Sequence, residues 1–189
     1  MDREQEFKMS LKTGSDYFES GDKAKAFAIW KELATQGYAK AQLFVAVCYQ
    51  RGFGTEKDPY AALEWYQKAA AQNYPQAITY LATFYYDGII ERNTDEAVKL
   101  WKKAAEMGEK EAQFVLGNLY YYGDFFEPNR EEAIRWYRRS AQQLFHNAVK
   151  RMKDLGEWIF DENENEKWYD STSLDHPVIV LPESWLKGY

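Results

Sequence analysis

The chain has 189 residues and a formal net charge of −6. This length suits one domain of ordinary size, and the acidic balance argues against general nucleic-acid binding. A single cysteine, Cys48, excludes an internal disulfide framework. The charged start MDREQEFKMS has no apolar centre, and no apolar run reaches about 18 residues, so we expect no signal peptide, no membrane span and a cytoplasmic protein.

The first 38 residues predict a helical hairpin at the N-terminus. We expect residues 1–6 to be frayed, a first helix from Phe7 to Phe18 and a second helix from Asp22 to Ala34. Tyr17 and Asp22 are only five positions apart, so the loop of this hairpin is shorter than the later loops.

A pattern of about 36 residues follows, and it occurs three times, over 39–74, 75–110 and 111–146. Five columns of residues keep the same spacing along the chain. The members of these columns are Ala41, Ala77, Ala112 and Ala148; Ala26, Ala62, Ala97 and Ala133; Ala34, Ala70, Ala105 and Ala141; Tyr49, Tyr85 and Tyr120; and Gly52, Gly88 and Gly123. Small residues at fixed intervals indicate positions where two helices come close, and a bulkier side chain there would strain the packing.

Polar residues predict where the second helix of each hairpin begins. Asp and Asn are preferred N-caps because their short side chains accept a bond from an unpaired backbone N–H. Such residues occupy one further column, which consists of Asp22, Asp58, Asn93 and Asn129. Glu96 and Glu132 lie three residues after the two asparagines, as in a capping box. Gly37, Asn73 and Gly108 then predict the helix ends, so that each unit is helix, loop, helix and tight turn.

The motif Trp65-Tyr66-Gln67-Lys68-Ala69-Ala70 and the pair Leu116-Gly117 resemble the Sel1-like repeats of the tetratricopeptide clan. The resemblance implies an all-α fold, a right-handed α-solenoid of helix-turn-helix repeats. Residues 1–38 would form a tetratricopeptide-like hairpin and residues 39–146 three Sel1-like repeats. Residues 147–158 would form a capping helix, because they repeat only the first helix of a further unit.

The last segment, residues 159–189, departs from the repeat and is expected to be an irregular tail. It contains the acidic run DENENE and an extended stretch HPVIVLP, in which each proline disfavours helix in the residue before it. Two interpretations stay open: the tail folds back over the last hairpin, or it is a free segment that becomes ordered on binding.

No group of residues in the sequence predicts catalysis. The two histidines, His146 and His176, lack a metal-ligand partner at helical spacing, and Cys48 lies in the densest apolar helix without a fitting histidine nearby. We therefore expect a protein that is not an enzyme and that has no metal site and no cofactor.

The resemblance implies that the first helices line a concave wall, as in other stacked hairpins. A wall that interleaves large aromatic and small polar side chains suits protein binding. Carrying the groove positions of the clan onto this chain predicts ten partner-binding residues, namely Phe18, Leu43, Val47, Gln50, Thr79, Thr83, Tyr86, Phe114, Asn118 and Tyr121.

These features predict a non-catalytic scaffold that binds another protein, which we expect to be basic, and neither nucleic acid nor a membrane. The most specific hypothesis is a small cytoplasmic immunity or inhibitor protein that neutralises a toxin or effector by covering it. The alternatives are an adaptor or regulatory scaffold, which could self-associate, and a hydrolase. The oligomeric state stays open.

Overall fold

A computed structural model describes residues 3–157 of the chain. Within this range the protein is all-helical, and each helix packs against the next along the chain. The helices are α1 (Arg3–Glu19), α2 (Lys23–Thr35), α3 (Ala39–Arg51), α4 (Pro59–Ala71), α5 (Pro75–Asp87), α6 (Thr94–Glu106), α7 (Lys110–Tyr122), α8 (Arg130–Gln142) and α9 (His146–Asp154). The predicted helical solenoid is confirmed: four hairpins, α1–α2 to α7–α8, are followed by the single helix α9.

The predicted N-caps of the second helices are confirmed. The side chains of Asp22, Asn93 and Asn129 each accept a bond from the backbone N–H three residues later, and Asp58 accepts from the two N–H groups of Tyr60 and Ala61. The glutamates of the two predicted capping boxes instead pair with cations at i+3, Glu96 with Lys99 and Glu132 with Arg135.

The backbone N–H of each N-cap in the repeats bonds instead to the preceding helix. Asp58, Asn93 and Asn129 donate to the carbonyl oxygens of Tyr49, Tyr85 and Tyr120 at 3.0, 3.0 and 2.9 Å. The middle loop is one residue shorter than the other two, yet its base is closed by the same bond. This bond takes the place of the reciprocal half of a capping box.

The tight turns after the second helices contain one residue with positive φ each. Gly37, Asn73 and Gly108 have φ values of +94°, +54° and +94°, so the predicted helix ends are confirmed. Leu144 occupies the equivalent position after α8 with a φ of +58°, although a leucine has no side-chain reason to adopt this conformation.

The alanine columns form the contacts between helices, as predicted. The columns that begin at Ala26 and Ala41 have no exposed surface in any repeat. In the third column Ala34, Ala105 and Ala141 are buried, whereas Ala70 is half-buried. The core is completed by large side chains from the second helices, of which Tyr66, Trp101 and Tyr137 are fully buried.

Two turns between hairpins are crossed by pairs of glutamines. At the turn of Gly37, the Nε2 of Gln42 donates to the Ala34 carbonyl, and the Nε2 of Gln72 donates to the carbonyl of Gly37 and to Gln42 Oε1 at 2.9 and 2.8 Å. At the turn of Gly108 the same bonds recur in the same order. There Gln113 donates to Ala105, and Gln143 donates to Gly108 and Gln113.

The middle turn, at Asn73, has apolar residues in both glutamine positions. Ile78 replaces the first glutamine and is 1% exposed, and Met107 replaces the second and is 41% exposed. Lys103 Nζ donates to Asn73 Oδ1 at this turn. The middle turn is therefore stabilised mainly by apolar burial, and its two neighbours by hydrogen bonds to backbone carbonyls.

Three expectations differ from the structure or lie beyond it. The expectation that residues 1–6 are frayed is wrong from Arg3 onward, because α1 begins there and Lys8 pairs with Glu4 one turn later. The capping helix begins at His146, one residue early, and ends at Asp154. The predicted tail, 159–189, lies outside the described residues.

Candidate protein-binding surface

Half of the ten predicted partner-binding residues are buried within the chain. These residues are Leu43, Val47, Thr79, Thr83 and Phe114, and each is at most 8% exposed. The two threonines are fully used internally, since Thr79 Oγ1 donates to Glu109 Oε2 at 3.0 Å and Thr83 Oγ1 donates to the Thr79 carbonyl. As placed here, these five side chains offer a partner almost no surface. Their role in binding stays a prediction.

Two of the half-exposed predicted residues hold buried tyrosines of their own hairpin. The Tyr66 hydroxyl donates to Gln50 Oε1 at 2.6 Å, and the Tyr137 hydroxyl donates to Asn118 Oδ1 at 2.7 Å. Both tyrosines have raised pKa values because burial disfavours the phenolate. Gln50 and Asn118 therefore contribute to the fold, because they give two buried hydroxyls an acceptor.

The remaining three predicted residues are aromatic and half-exposed, and each lies against other rings. Phe18 packs between Trp30 and Phe53, with ring centroids 5.5 and 5.4 Å away. This residue closes the end of the first hairpin against the loop of the second.

Tyr86 and Tyr121 belong to two clusters that include exposed side chains. The first cluster comprises Tyr86, Phe125 and Arg92: the Tyr86 ring lies 6.4 Å from that of Phe125, and the Arg92 guanidinium lies 5.2 Å from the Tyr86 ring. Phe125 is 37% exposed. Arginine over an aromatic face is a favourable contact.

The second cluster comprises Tyr121, Tyr122 and Arg151. The two tyrosine rings meet edge to face at 5.1 Å, and the Arg151 guanidinium lies 5.7 Å from both. Tyr122 is 38% exposed. We call the two groups together the aromatic clusters. Both lie at the carboxyl ends of first helices, α5 and α7.

The sequence interpretation missed Phe125, Tyr122 and the arginines of the aromatic clusters. Phe125 lies in the loop after α7, where helical periodicity does not predict the direction in which a side chain points. Tyr122 is the last residue of its helix and follows Tyr121, which the sequence predicted as a partner-binding residue. The sequence offered one signal for Phe125: a large aromatic residue in a loop has no place on the buried face of a helix.

Two glutamates near the start of α7 are strongly affected by burial. Glu109 is the N-cap of this helix, is 7% exposed, and accepts bonds from the Ala112 N–H at 2.6 Å and from Thr79. Burial raises the pKa of its carboxyl, and these bonds to the ionised form act in the opposite direction. The equivalent residues before α3, α5 and α9 are Tyr38, Tyr74 and Phe145, which make no side-chain cap.

Glu111 is less well satisfied than Glu109. Its Oε2 is buried and has no hydrogen-bond partner among the described residues. Burial, together with the charge of Glu109, raises the pKa of Glu111 to about 8, and Lys110 opposes this shift. From α5, the phenol of Tyr80 lies near both carboxyls; burial and these charges raise its pKa well above the ordinary value, while Arg51 acts in the opposite direction.

The described residues offer little for catalysis. No group of three or more His, Cys, Asp or Glu side chains within residues 3–157 is arranged to hold a metal ion. Burial raises the pKa of the Cys48 thiol to about 12, so that the nucleophilic thiolate is scarce at neutral pH. In the same part of the chain, no helix combines the length and apolar character needed to cross a bilayer.

Comparison with known proteins identifies the repeat. The family model for the Sel1 repeat matches residues 39–74, 75–109 and 110–143. No curated protein matches the chain.

Solved structures with the same fold include three bacterial proteins. A Sel1 repeat protein from Oxalobacter formigenes is 31% identical, with a TM-score of 0.67, and covers 78% of this chain. The protective antigen c5321 of uropathogenic Escherichia coli, which has an SLR fold, is 25% identical, with a TM-score of 0.66 over 77% of this chain. Cysteine rich protein B of Helicobacter pylori is 19% identical over 64% of this chain, with a TM-score of 0.52, and its likeness concerns the fold alone.

This chain spans 61% of the Oxalobacter protein, 32% of the Escherichia protein and 92% of the Helicobacter protein. The three matched repeats account for more than half of its own residues. The chain belongs to the Sel1 repeat family, a helical scaffold for protein interaction.

Proposed function

We propose that this protein is a non-catalytic scaffold whose partner protein contacts the aromatic clusters. The observation that carries the proposal is the exposure of aromatic rings beside arginines on two neighbouring repeats, Tyr86 with Phe125 and Tyr121 with Tyr122. Tyrosine and arginine are the residue types that most often dominate binding energy in protein interfaces, and they do so when a partner removes them from water.

The specific form that we propose is an immunity or inhibitor protein that neutralises a basic toxin or effector in the cytoplasm. The net charge of −6 would favour encounter with a basic partner. A protein that neutralises a toxin by covering its active site needs a binding surface but no catalytic group. The buried and protonated Cys48 thiol is consistent with this mode of action. An adaptor in a signalling or assembly pathway would need the same surface. Identifying the bound protein as a toxin or as a pathway component therefore separates the two forms.

The test uses the partner that co-purifies from the native host and compares matched aromatic variants. Tyr122→Ala and Phe125→Ala remove exposed rings of the aromatic clusters, and each should weaken binding by about 1–2 kcal/mol. Tyr86→Ala and Tyr121→Ala should cost at least about 2 kcal/mol, because these rings are better packed. Isothermal calorimetry measures the affinities, and circular dichroism checks that the helices are retained.

The matched control is Tyr60→Ala on α4, where the side chain is 67% exposed. This variant removes an equally large ring outside the aromatic clusters, and its affinity should equal that of the original protein. Equal affinity for all five variants would remove the aromatic clusters from the interface. A dimer that persists on dilution, measured by light scattering, and that dissociates only in the cluster variants would identify a second copy of the chain as the occupant.

A further inference from the structure

We propose that the outer face of the first hairpin binds the last turn of a basic helix of the bound protein. The inference rests on the proposed scaffold function and adds a contact outside the aromatic clusters. It starts from a cavity of about 280 Å³ that residues of α1 and α2 line. Phe7, Ile29 and Leu33 contribute apolar surface to it. Glu6 and Glu32 also line it, and both are exposed. We call it the end cavity.

In the repeats, the corresponding side of a hairpin is covered by the hairpin before it. The end of α2 and the turn at Gly37 lie against the second hairpin, where Gln72 donates to the Gly37 carbonyl. The turn at Gly108 lies against the fourth hairpin, where Gln143 donates to the Gly108 carbonyl. Within the described residues no helix precedes α1, so the first hairpin has no such cover.

The end cavity contains the counterpart of the two glutamines that contact a covering turn. Gln36 lines the cavity and corresponds to Gln72 and Gln143, because each of the three directly follows the last residue of a second helix. Gln36 is exposed, and its side-chain amide forms no hydrogen bond within residues 3–157. It is therefore available to donate to a backbone carbonyl at the end of an incoming helix, as its two counterparts do.

The charge at one position distinguishes the first hairpin from the repeats. This position holds Lys68, Lys103 and Arg139 in the repeats and Glu32 in the first hairpin. In the third hairpin its side chain reaches the covering turn, because Lys103 Nζ donates to Asn73 Oδ1 at 2.9 Å. Glu32 has no ion-pair partner in the part of the chain that the structure describes. The first hairpin thus offers an incoming turn an acceptor where the repeats offer a donor.

The occupant that matches these groups is the end of a helix that carries a lysine or an arginine. Cations are favourable in the last turn of a helix, because they interact with its unpaired carbonyls and its dipole. Such a cation would lie near Glu32, with Glu6 as a second carboxylate on the same cavity, while a carbonyl accepts from Gln36. Apolar side chains of the helix would remove Phe7 and Ile29 from water.

The probe is a synthetic peptide that copies residues 58–74, the helix and turn that lie against the third hairpin. A lactam between Glu64 and Lys68, which are exposed and four positions apart, holds it helical. One form carries Asn73→Lys, which places a cation where the turn would meet Glu32, and the matched control keeps Asn73. The full chain is titrated with each peptide at millimolar concentration and followed by NMR of its backbone amides. We expect shifts at the end cavity and about threefold tighter binding of the Asn73→Lys peptide.

A charge reversal in the protein completes the test. Glu32→Lys introduces a residue type found at this position in the repeats, and it should reverse the preference, so that the unchanged peptide binds better. Glu106→Lys makes the same change at an exposed position of α6 and should keep the original preference. Circular dichroism checks that both variants retain their helices. Equal affinities of the original protein for the two peptides, shifts away from the end cavity, or an unaltered preference in Glu32→Lys would each overturn the inference.

The native partner distinguishes this inference from the scaffold function. Glu32→Lys should weaken partner binding about fivefold, and Glu106→Lys should not. A partner that loses affinity for Phe125→Ala and binds Glu32→Lys as before would support the scaffold and reject the end cavity as a contact. A dimer that Glu32→Lys alone dissociates, measured by light scattering, would assign the end cavity to a second copy of the chain and also overturn the inference. If neither the aromatic variants nor Glu32→Lys changes partner binding, both proposals fail.

Discussion

The turns at Gly37 and Gly108 are crossed by paired glutamines, whereas the equivalent turn at Asn73 has Ile78 and Met107 in the same positions. The helices on either side have the same lengths, and the alanine columns that begin at Ala26 and Ala41 are equally buried. One geometry is thus reached by two kinds of stabilisation, hydrogen bonds to backbone carbonyls or apolar burial. Because two residues of one hairpin define each kind, they should be exchangeable only as a pair.

The largest effect is expected when one glutamine is placed in the middle turn. Ile78→Gln removes a fully buried apolar side chain and buries an amide whose oxygen faces Met107 instead of a donor. The variant should lose about 2–4 kcal/mol of unfolding free energy. Urea denaturation followed by circular dichroism measures this loss.

The paired exchange is the control for this prediction. Ile78→Gln with Met107→Gln rebuilds the arrangement seen at Gly37 and should recover at least about 1 kcal/mol relative to Ile78→Gln. In the reverse direction, Gln113→Ile removes the side-chain bond to the Ala105 carbonyl and one of the two acceptors of the Gln143 amide. Adding Gln143→Met should reduce the loss. Strictly additive effects in both cycles would show that the pairs do not act as units.

A second prediction concerns the pH dependence of stability, which should differ between the Gly108 turn and the Gly37 turn. Only the Gly108 turn is followed by buried glutamates. The folded pKa of Glu111, about 8, lies above the unfolded value. Its stabilising protonation is therefore complete below about pH 4.3 and is lost as the pH rises through 8. Glu111→Gln cannot lose this proton, so its stability relative to the original protein should increase by about 1 kcal/mol for each pH unit between about pH 5 and 8.

Chemical denaturation at several pH values measures this relative stability, and Glu106→Gln serves as the exposed control. Carboxylates other than Glu109, whose charge acts on Glu111, titrate equally in all three proteins, so only differences between the curves are compared. Parallel curves for Glu111→Gln and the original protein would contradict a raised pKa at this position.

The smallest effect concerns the last turn, where Leu144 has a positive φ in the position that Gly37 and Gly108 occupy earlier. Leu144 is 56% exposed, so its side chain gains little from packing. Leu144→Gly should stabilise the protein by about 0.5–1 kcal/mol, because glycine adopts this conformation without strain. Thermal unfolding measures the gain. Gly108→Ala should produce a loss of similar size, and a destabilised Leu144→Gly variant would refute the interpretation.

The repeat was predictable because its signals are local. Asp58, Asn93 and Asn129 start their helices through bonds made within three residues, and the alanines mark contacts through size alone. The start of α1 at Arg3 was missed because a polar first turn such as the one containing Glu4 has no apolar periodicity. The glutamine pairs were also missed, since they join residues 30 positions apart.

The surface was less predictable than the repeat. Periodicity identifies the residues that share a helix face, but not how deeply the neighbouring helix covers that face. Leu43, Thr79 and Phe114 occupy one column and are all covered. Exposure of Phe125 and the buried state of Glu111 Oε2 depend on the rotation of whole hairpins, which a single helix pattern does not record.

In each of the three repeats, the hydrogen bond from the N-cap N–H to a tyrosine carbonyl closes the base of the loop, where the loop meets the two helices. The loop of the third hairpin closes with the same bond as its longer neighbours, so a change in length is absorbed outside the closed base. Foreign peptides inserted between Thr55 and Glu56 would consequently lie in the loop outside this hydrogen bond. The two helices of the hairpin would keep their register. The array could thus carry inserted epitopes or labels as a display framework.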